Sequence, residues 1–295
     1  MGLGTIQFLL KHPLSSRRKL ASFKRLISWQ VGSRILGMPM VTEFVHGSRL
    51  LVGTGMTGAT GNFYAGLHEF EDMAFVLHAL RDSDLFIDVG ANIGSYTVIA
   101  GAAVGAECIA IEPVPSTFKH LVDNVNLNGM GDRVECLNIG IGKERGVLDF
   151  SSTADTMNHV LMNNQHSDEM SIQVCIEKLD DVVKTRQPSI IKIDVEGWET
   201  QVIAGAQNIL VSTAPLAVVM EFGCGGKYGF DEEMLHGQML DYGFETVVYE
   251  PFQRNLRSLE GRRNSGGNTI YVKDMVFWGD RLISSPKYRV LDIEF

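Results

Sequence analysis

The stretch from Asp84 to Gly94, which reads D-L-F-I-D-V-G-A-N-I-G, constrains the fold more than any other part of this chain. Its apolar run, Leu85–Val89, is typical of a strand buried on both faces of a parallel sheet. Gly90 and Gly94 then bracket a tight turn, and a helix is predicted to begin at Ser95. Glycine suits such a turn because a Cβ would block the close approach of a ligand to the backbone. A strand, a glycine turn and a helix form the first half of a nucleotide-binding βαβ unit.

Two features of this turn indicate which ligand it binds. The turn reads G-x-N-x-G around Asn92, whereas a dinucleotide site reads G-x-G-x-x-G. Asp88 lies at the tip of the strand, where its carboxylate would repel a pyrophosphate and attract an ammonium or sulfonium group. We therefore expect the cofactor to be S-adenosylmethionine (SAM), which carries both of these positive groups.

A second acidic residue predicts adenosine binding. Glu107–Ile111 reads as the next strand, and Glu112 closes it. An acid at that strand tip accepts hydrogen bonds from ribose hydroxyls. Because NAD enzymes and SAM enzymes share this feature, a nucleotide-dependent oxidoreductase using NAD(P) remains an alternative on these residues alone.

Four blocks of sequence carry a resemblance to a known family. They are D-V-G-A-N-I-G-S-Y-T (88–97), I-E-P (111–113), N-I-G-I-G (138–142) and I-K-I-D-V-E-G-W-E (191–199). Over residues 61–273 the chain resembles the FkbM family of SAM-dependent methyltransferases, and the K-I-D-V-E-G block is far more specific than the glycine turn. The resemblance implies an α/β, Rossmann-like class I methyltransferase fold, with a seven-stranded, mostly parallel sheet and helices on both faces. It also implies O-methylation of a hydroxyl on a sugar, glycan or secondary metabolite.

The strand tips and the resemblance together indicate the residues that bind the cofactor. Asn138 and Gly140 fall at the tip of the third strand, where methyltransferases of this type receive the adenine. The predicted cofactor-binding residues are Asp88, Gly90, Asn92, Gly94, Tyr96, Thr97, Glu112, Asn138, Gly140 and Asp194.

The fourth strand carries charged residues that point to chemistry. Lys192, Asp194 and Glu196 alternate with apolar residues, and charges inside an apolar strand are costly unless they meet partners or ligands. A hydroxyl acceptor needs a base to take its proton, and the candidates are Asp194, His159 and Glu221. A metal bridging Asp194 and Glu196 is disfavoured because the sequence shows no obvious third ligand, so we predict no metal.

Two segments are predicted to shape the acceptor site. A helix from His68 to Leu80 precedes the first strand, and the polar stretch 151–170 leaves the sheet just after the adenine strand. The predicted substrate-binding residues are Glu69, Asp72, Asn158 and Glu196. A SAM-binding partner protein without turnover is the alternative from a different functional class.

The charge of the chain is unevenly distributed. Residues 1–42 carry seven Lys/Arg and no acid, whereas the rest carries 19 Lys/Arg against 35 Asp/Glu. An acidic body argues against nucleic acid as a partner, because neutralising phosphates requires clustered positive charge. No apolar run is long enough for a membrane span, and the four scattered cysteines match no zinc spacing. We expect a cytoplasmic protein that acts on a small-molecule or glycan acceptor, with homo-oligomerisation left open.

Residues 14–37 read as a basic amphipathic helix. Leu20, Phe23, Ile27, Val31 and Ile35 form one apolar stripe, with Lys and Arg around it. We expect this helix to dock on the acidic domain, and peripheral contact with the inner membrane surface is the alternative. The predicted organisation is an N-terminal extension (1–80), a SAM-binding domain (81–275) and a C-terminal tail (276–295).

Overall fold

A computed structural model describes residues 3–36, 39–53, 56–151, 160–161 and 171–295 of the chain. The helices are α1 (Leu3–Lys11), α2 (Pro13–Arg17), α3 (Lys19–Leu36), α4 (Thr57–Ala65), α5 (Phe70–Ala79), α6 (Ser95–Val98), α7 (Pro115–Leu127), α8 (Leu179–Val183), α9 (Glu199–Ala204), α10 (Gln207–Leu210), α11 (Glu232–Asp241) and α12 (Met275–Ile283). A π-helical segment, Ile99–Val104, continues α6, and a 3-10 turn covers Gly225–Tyr228.

The strands follow the same chain order. They are β1 (Met40–Glu43), β2 (Arg49–Val52), β3 (Leu85–Val89), β4 (Glu107–Ile111), β5 (Val134–Leu137), β6 (Gly140–Ile141), β7 (Gly146–Ser151), β8 (Ser171–Glu177), β9 (Ile190–Ile193), β10 (Ala217–Met220), β11 (Glu245–Glu250), β12 (Asn255–Ser258), β13 (Thr269–Val272), β14 (Arg289–Val290) and β15 (Ile293–Glu294). Small sheets are formed by β1 with β2, by β14 with β15, and by β6, β8 and β7.

One large mixed sheet stands at the centre of the described fold. Its strand order is β12-β11-β13-β10-β9-β3-β4-β5. Strands β10, β9, β3, β4 and β5 run parallel, whereas β13 pairs antiparallel with both β10 and β11. This architecture confirms the predicted Rossmann-like α/β fold.

The sheet has eight strands among the described residues, one more than predicted. The additional strand is β12, which pairs antiparallel with β11 at the edge. Most of its residues are exposed, and it includes Arg257, so the segment reads as a basic loop in the sequence. An edge strand is held by main-chain hydrogen bonds and needs no alternation of apolar side chains, so the pattern gives no signal for it.

The central strand β3 is buried on both faces, as its apolar run predicts. Phe86 belongs to the core that includes α5 and α12, whereas Ile87 belongs to the core that includes α9 and α11. Alternate side chains of one strand therefore enter two cores, which explains why every position is apolar or paired. The carboxyl end of the strand is left as the opening at which such sheets bind ligands.

The turn after β3 packs tightly against the end of β9. Gly90 has φ +79°, and a Cβ at this position would overlap the carbonyl oxygen of Asp194. The amide of Gly90 donates to the carbonyl oxygen of Ile111 at 3.0 Å, which ties the same turn to β4. Glycine is therefore required by a left-handed backbone and by the close approach of two strand ends.

The N-terminal helices dock on the domain, but not through the predicted face. The predicted single helix over 14–37 is interrupted at Arg18, whose backbone is not helical, and continues as α3. The face of α3 that is buried carries Ser22, Leu26 and Trp29. Three residues of the predicted apolar stripe, Leu20, Ile27 and Val31, are exposed, whereas Phe23 at its border is half-buried and packs against the core. Contacts with the rest of the fold, which the sequence pattern does not contain, select the docking face.

The two ends of the chain share a core with the main domain. Val45 and Val290 form an antiparallel bridge, and Phe295 packs its ring against Phe70 with centroids 5.4 Å apart. Helix α12 begins at Met275 and contributes to the same core. Within the described residues, no helix combines the length and the apolar character that crossing a membrane requires.

The packing of the turn gives a prediction for Gly90→Ala. We expect this variant to lose most of its SAM binding and to unfold at a lower denaturant concentration than the wild type, because the new methyl group displaces the end of β9. Gly129→Ala is the matched control, since Gly129 also has a positive φ (+64°) but faces open space. Backbone strain alone should cost the control about 1–2 kcal/mol. Equal losses of stability in the two variants, with SAM binding retained in both, would contradict the close-approach explanation.

Candidate active site

A pocket of about 280 Å³ opens at the carboxyl ends of β3, β4, β9 and β10, and we call it the central pocket. The predicted site residues that line it are Glu69, Asp88, Gly90, Asn92, Tyr96, Glu112, Gly140, Asp194, Glu196 and Glu221. Residues from six separate parts of the chain are therefore brought to one place. The position agrees with the general rule that open α/β sheets bind ligands at the carboxyl ends of their strands.

Four predicted residues do not line the central pocket, and they are Asp72, Gly94, Thr97 and Asn138. Thr97 supports a residue that does line it, because its hydroxyl donates to Asp88 Oδ2 at 2.6 Å. The side-chain amide of Asn138 similarly donates to the backbone carbonyl oxygen of Glu112 at 2.8 Å. The other two predicted residues, Asn158 and His159, lie outside the described residues.

Two buried carboxyl groups stand on the cofactor side of the central pocket. Glu112 accepts a hydrogen bond from the amide of Asn92 at 3.0 Å and from the amide of Val114 at 2.9 Å. Burial raises the pKa of Glu112 to about 7, and these amides limit the rise. Burial also raises the pKa of Asp88 to about 6, with Thr97 acting in the opposite direction. A positively charged ligand in this pocket would favour the ionised form of both groups.

A buried ammonium group stands on β9, next to Asp88 of β3. The side chain of Lys192 is only 1% exposed, and its Nζ donates to Asp194 Oδ2 at 3.0 Å. The same Nζ lies 5.3 Å from the centre of the Tyr96 ring. Burial alone would lower the pKa of Lys192, but Asp194 and Glu69 raise it above its usual value. Lys192 therefore remains a cation at the end of the pocket.

Asp194 and Glu221 form an unequal carboxyl pair. Burial and the hydrogen bond to Asp194 raise the pKa of Glu221 well above its usual value. Burial acts on Asp194 in the same direction, but Lys192 and the hydrogen bond from Glu221 together outweigh burial and hold the pKa of Asp194 below its usual value. At neutral pH Glu221 therefore carries a proton that it donates to the Asp194 carboxylate. The side chain of Asp194 is 35% exposed, so an incoming hydroxyl can reach it.

The structure brings a third carboxyl group to a pair that the sequence had suggested as metal ligands. Asp194, Glu196 and Glu221 each place an oxygen within 4.8 Å of the others. Glu196 follows the end of β9 in a turn with φ +54°, so the alternation of charges predicted for this strand ends at Lys192. The prediction that the site uses no metal assumed that this third ligand was missing, and the geometry removes that reason.

A hydrogen-bonded network that sequence reasoning missed lies around Glu69 at one end of the pocket. The Tyr96 hydroxyl donates to Glu69 Oε2 at 2.8 Å. The side-chain amide of Asn268 donates to Glu69 Oε1 at 3.2 Å and to Asp72 Oδ2 at 3.0 Å. Asp72 shares its partner Asn268 with Glu69. Burial raises the pKa of Asp72 to about 8, so its carboxyl group can remain protonated at neutral pH. Asn268 is 199 positions from Glu69, and no local pattern could have joined them.

Trp198 also lines the central pocket, although no role is predicted for it from the sequence. Its ring packs edge-on against Tyr228, with the centroids 5.1 Å apart. The signal for it was present, because Trp198 belongs to the block at 191–199 that carries the resemblance. Its place in the wall shows that this block contributes a shape-determining side chain as well as charged ones.

Comparison with known proteins agrees with this geometry. Residues 88–262 match the methyltransferase FkbM domain, and this range covers more than half of the chain. The chain belongs to the FkbM methyltransferase family. The predicted family is thereby confirmed, and SAM is confirmed as the cofactor that the family assignment implies.

Two curated relatives are also methyltransferases. The hexuronic acid methyltransferase AglP of Haloferax volcanii is 28% identical over 164 residues, which cover 54% of this chain and 65% of that protein. The match therefore spans less than two thirds of the length of that relative. Methyltransferase 1 of Beauveria bassiana is 25% identical over 218 residues, covering 66% of this chain and 87% of that protein.

Solved structures with similar folds include two enzymes of distant sequence. Pyrococcus horikoshii TYW2, in complex with MeSAdo, is 16% identical and has a TM-score of 0.43, with 86% of this chain and 83% of that chain covered. The precorrin-6y C5,15-methyltransferase of Geobacter metallireducens is 12% identical and has a TM-score of 0.39, with 70% and 90% covered.

The residues of the central pocket fit the cofactor of this family. SAM carries an ammonium and a sulfonium, and the pocket presents the carboxyl groups of Asp88 and Glu112 beside the glycine turn. Both groups have pKa values near neutrality, so a nearby positive charge can keep them ionised. Asn92, whose φ is +52°, directs its amide to Glu112 and so holds this carboxylate in place.

The charge of Asp88 gives a prediction for cofactor binding. Asp88→Asn keeps the shape of the side chain, and we expect it to raise the SAM dissociation constant about 10- to 100-fold, the usual range for a hydrogen bond to a charged group. Because the Asp88 carboxyl has a pKa of about 6, wild-type affinity should fall as the pH drops through that value. The affinity of Asp88→Asn for SAM should not show this decrease near pH 6.

Titration calorimetry with SAM between pH 5 and about 8 measures both effects, a range that spans the two raised carboxyl pKa values. Asp82→Asn is the control, since Asp82 is exposed and does not line the pocket. An Asp88→Asn protein with wild-type affinity and an unchanged pH profile would show that this carboxylate does not select the cofactor.

Proposed function

We propose that this protein is a SAM-dependent O-methyltransferase that acts on a hydroxyl of a sugar, a glycan or a similar hydroxyl-rich metabolite. The observation that carries the proposal is the cluster of Lys192, Asp194 and Glu221 at the end of the central pocket. It provides an ionised carboxylate, a fixed cation and a proton donor around one small volume. Support for the substrate class comes from the relative AglP, whose name describes the methylation of a hexuronic acid.

The proposed chemistry is a single displacement. SAM supplies a methyl group bound to a positively charged sulfur, which becomes a neutral thioether as the carbon–sulfur bond breaks and a carbon–oxygen bond forms. Asp194 takes the proton that the acceptor hydroxyl loses. Lys192 keeps Asp194 ionised until that moment, and Glu221 holds the carboxylate in position by donating its own proton. Alignment of the acceptor oxygen with the methyl carbon can lower the activation free energy by about 7–11 kcal/mol.

Two other functions were considered from the sequence. The family assignment weighs against a nucleotide-dependent oxidoreductase, because the matched family consists of methyltransferases. A SAM-binding protein without turnover would have no use for a reachable base. The partial exposure of Asp194 beside a buried lysine therefore favours an enzyme.

The proposed base gives a prediction for Asp194→Asn. We expect methyl transfer from labelled SAM to slow by about 10²- to 10⁴-fold, the usual contribution of a positioned general base. The dissociation constant of SAM should change little, because Asp88 and Glu112 remain. Incubation with an extract of the native host, followed by detection of the labelled product, supplies an acceptor for this measurement.

Asp132→Asn is the matched control, because Asp132 is exposed and lies outside the pocket lining. It should keep both the rate and the affinity of the wild type. An Asp194→Asn enzyme that retains its full rate would remove Asp194 from the role of base.

The position of Lys192 gives a prediction about metals. A divalent ion bound by Asp194 would stand next to an ammonium group that is already 3.0 Å from the same carboxylate, and the two cations would repel each other. We therefore expect the methylation rate to remain within about twofold of its value after treatment with EDTA. A loss of rate that Mg²⁺ or Mn²⁺ restores would instead make the three carboxyl groups a metal site.

A further inference from the structure

A second cavity, of about 760 Å³, lies beside the central pocket, and we call it the side cavity. It is lined by the segment after β10, by the start of α11 and by the loop 261–268. Glu69 and Glu221 line both the side cavity and the central pocket. A molecule in the side cavity can therefore reach the end of the pocket where Lys192 and Asp194 lie.

We propose that the side cavity binds the methyl acceptor, and that this acceptor is an uncharged, hydroxyl-rich molecule of the size of one or two neutral sugar units. This proposal rests on the proposed function. The volume of the side cavity falls within the range of about 300–1,000 Å³ that ligand sites usually have. The loop 261–268 contributes Asn264, Ser265 and Asn268 to the lining, and although the side-chain NH2 groups of both asparagines already donate within the protein, amide and hydroxyl oxygens can accept further hydrogen bonds from hydroxyls.

The arginine at the centre of the side cavity is already neutralised. Nη1 of Arg263 donates to Glu232 Oε2 at 3.0 Å, and Nη2 donates to Glu233 Oε1. The guanidinium also lies over the ring of Phe222, 4.8 Å from its centre. Partial burial lowers the pKa of Arg263, but the two carboxylates outweigh it and raise the value. Arg263 therefore forms part of the wall and is not free to bind a carboxylate or a phosphate of the acceptor.

Glu232 is fixed as firmly as its arginine partner. Its Oε1 accepts the amides of Gly223 and Gly225, each at 2.9 Å, while Oε2 binds Arg263. These bonds hold the pKa of Glu232 below its usual value against the opposing effect of burial. An anionic acceptor could not displace this carboxylate without leaving backbone amides unpaired.

The charge of the lining as a whole opposes an anionic acceptor. The other guanidinium among the described lining residues is Arg262, which pairs with Glu260 at 3.3 Å. The two arginines stand against the carboxylates of Glu69, Glu232 and Glu233, while the fourth carboxyl group of the lining, that of Glu221, is protonated. Placing a further negative charge among them would be unfavourable, because like charges across an interface cost affinity. The acceptor of this chain should therefore differ in charge from a hexuronic acid.

Two probes that differ only in one carboxylate test this proposal. Methyl glucoside and methyl glucuronide are titrated into the protein saturated with S-adenosylhomocysteine, and both are then offered as acceptors with labelled SAM. We expect the glucoside to bind at least about 10-fold more tightly than the glucuronide. Glu233→Gln removes one partner of Arg263 and should narrow this difference. Glu245→Gln is the control, because Glu245 is exposed and outside the side cavity.

Each outcome decides between the possibilities. Equal binding of the two probes, tighter binding of the glucuronide, or no binding of either overturns the inference about the side cavity. Binding of the glucoside without any methyl transfer contradicts the proposed function and leaves the assignment of the side cavity in place.

A separate observation on α3 carries a second proposal, which does not depend on the reaction. Leu20, Ile27 and Val31 lie on one side of α3, seven and four positions apart in succession, and they are 90%, 59% and 53% exposed. Lys24 lies on the same side and is exposed, and so is Lys19 at the start of the helix. The opposite side of α3 is buried against the domain, so this stripe faces outward.

We propose that this exposed stripe of α3 rests on an anionic membrane surface. The charge decides between the possible occupants, because the exposed charged residues beside the stripe, Lys19 and Lys24, are basic and residues 1–42 carry no acid. A second copy of the same stripe would oppose lysine with lysine, whereas a surface of anionic lipids is complementary to an apolar stripe with basic flanks. The helix would lie in the plane of the membrane, with Lys24 extending its ammonium toward the head groups.

Sedimentation with vesicles tests the stripe. We expect the full chain to bind vesicles that contain phosphatidylglycerol, to bind phosphatidylcholine vesicles at least about 10-fold more weakly, and to lose binding as salt is added. Ile27→Glu should abolish binding. Val211→Glu should not, and it is matched because Val211 is also 59% exposed. Absence of binding to the anionic vesicles overturns the proposal, and so does a dimer in solution that Ile27→Glu dissociates.

Discussion

The buried ammonium of Lys192 is the charge on which the rest of the site depends. Lys192 lies in β9, between β3 and β10, and stands opposite Asp88 in the register of the sheet. A cation in the middle of a sheet is stable only if carboxylates surround it, because an unpaired buried charge costs several kcal/mol. Asp194 and Glu69 meet that requirement, and in doing so they are brought to the end of the central pocket. The carboxylates that neutralise Lys192 are therefore the same groups that are available for chemistry at the end of the central pocket.

The same electrostatics separates two neighbouring carboxyl groups into different roles. Asp194 lies against Lys192 and stays ionised, whereas Glu221 shares a hydrogen bond with Asp194 and stays protonated. Two carboxyl groups so close together cannot both be ionised, and the lysine beside Asp194 favours the ionised form of Asp194. Asp88 stands next to Lys192 on the neighbouring strand, but burial outweighs the ammonium and raises the pKa of Asp88 to about 6, and burial raises the pKa of Glu112 to about 7. The pocket thus has one carboxylate that is permanently charged and two that a cationic cofactor can ionise.

Local features of the sequence were sufficient to predict most of the sheet and many of the residues that line the central pocket. The strand at 85–89, the glycine turn and the block at 191–199 are contiguous signals, and each depends on neighbours within a few residues. The acceptor side depends on contacts such as that between Asn268 and Glu69, which join distant parts of the chain through the fold. The prediction of which face of α3 docks on the domain was wrong for a related reason, because a helix with several apolar positions can bury either side. Leu26 and Trp29 are selected by the surface that they meet and not by the pattern of α3 itself.

The most direct test of the role of Lys192 is the pH dependence of the methylation rate at saturating SAM in Lys192→Gln. In the wild type, Asp194 is ionised far into the acidic range, so the acidic limb of the profile should lie at low pH. Without the ammonium, Asp194 is left in a half-buried site beside Glu221, and the limb should move upward by about one pH unit or more, with a lower maximal rate. An acidic limb that stays where it is in the wild type would contradict the claim that Lys192 keeps Asp194 ready to take the proton.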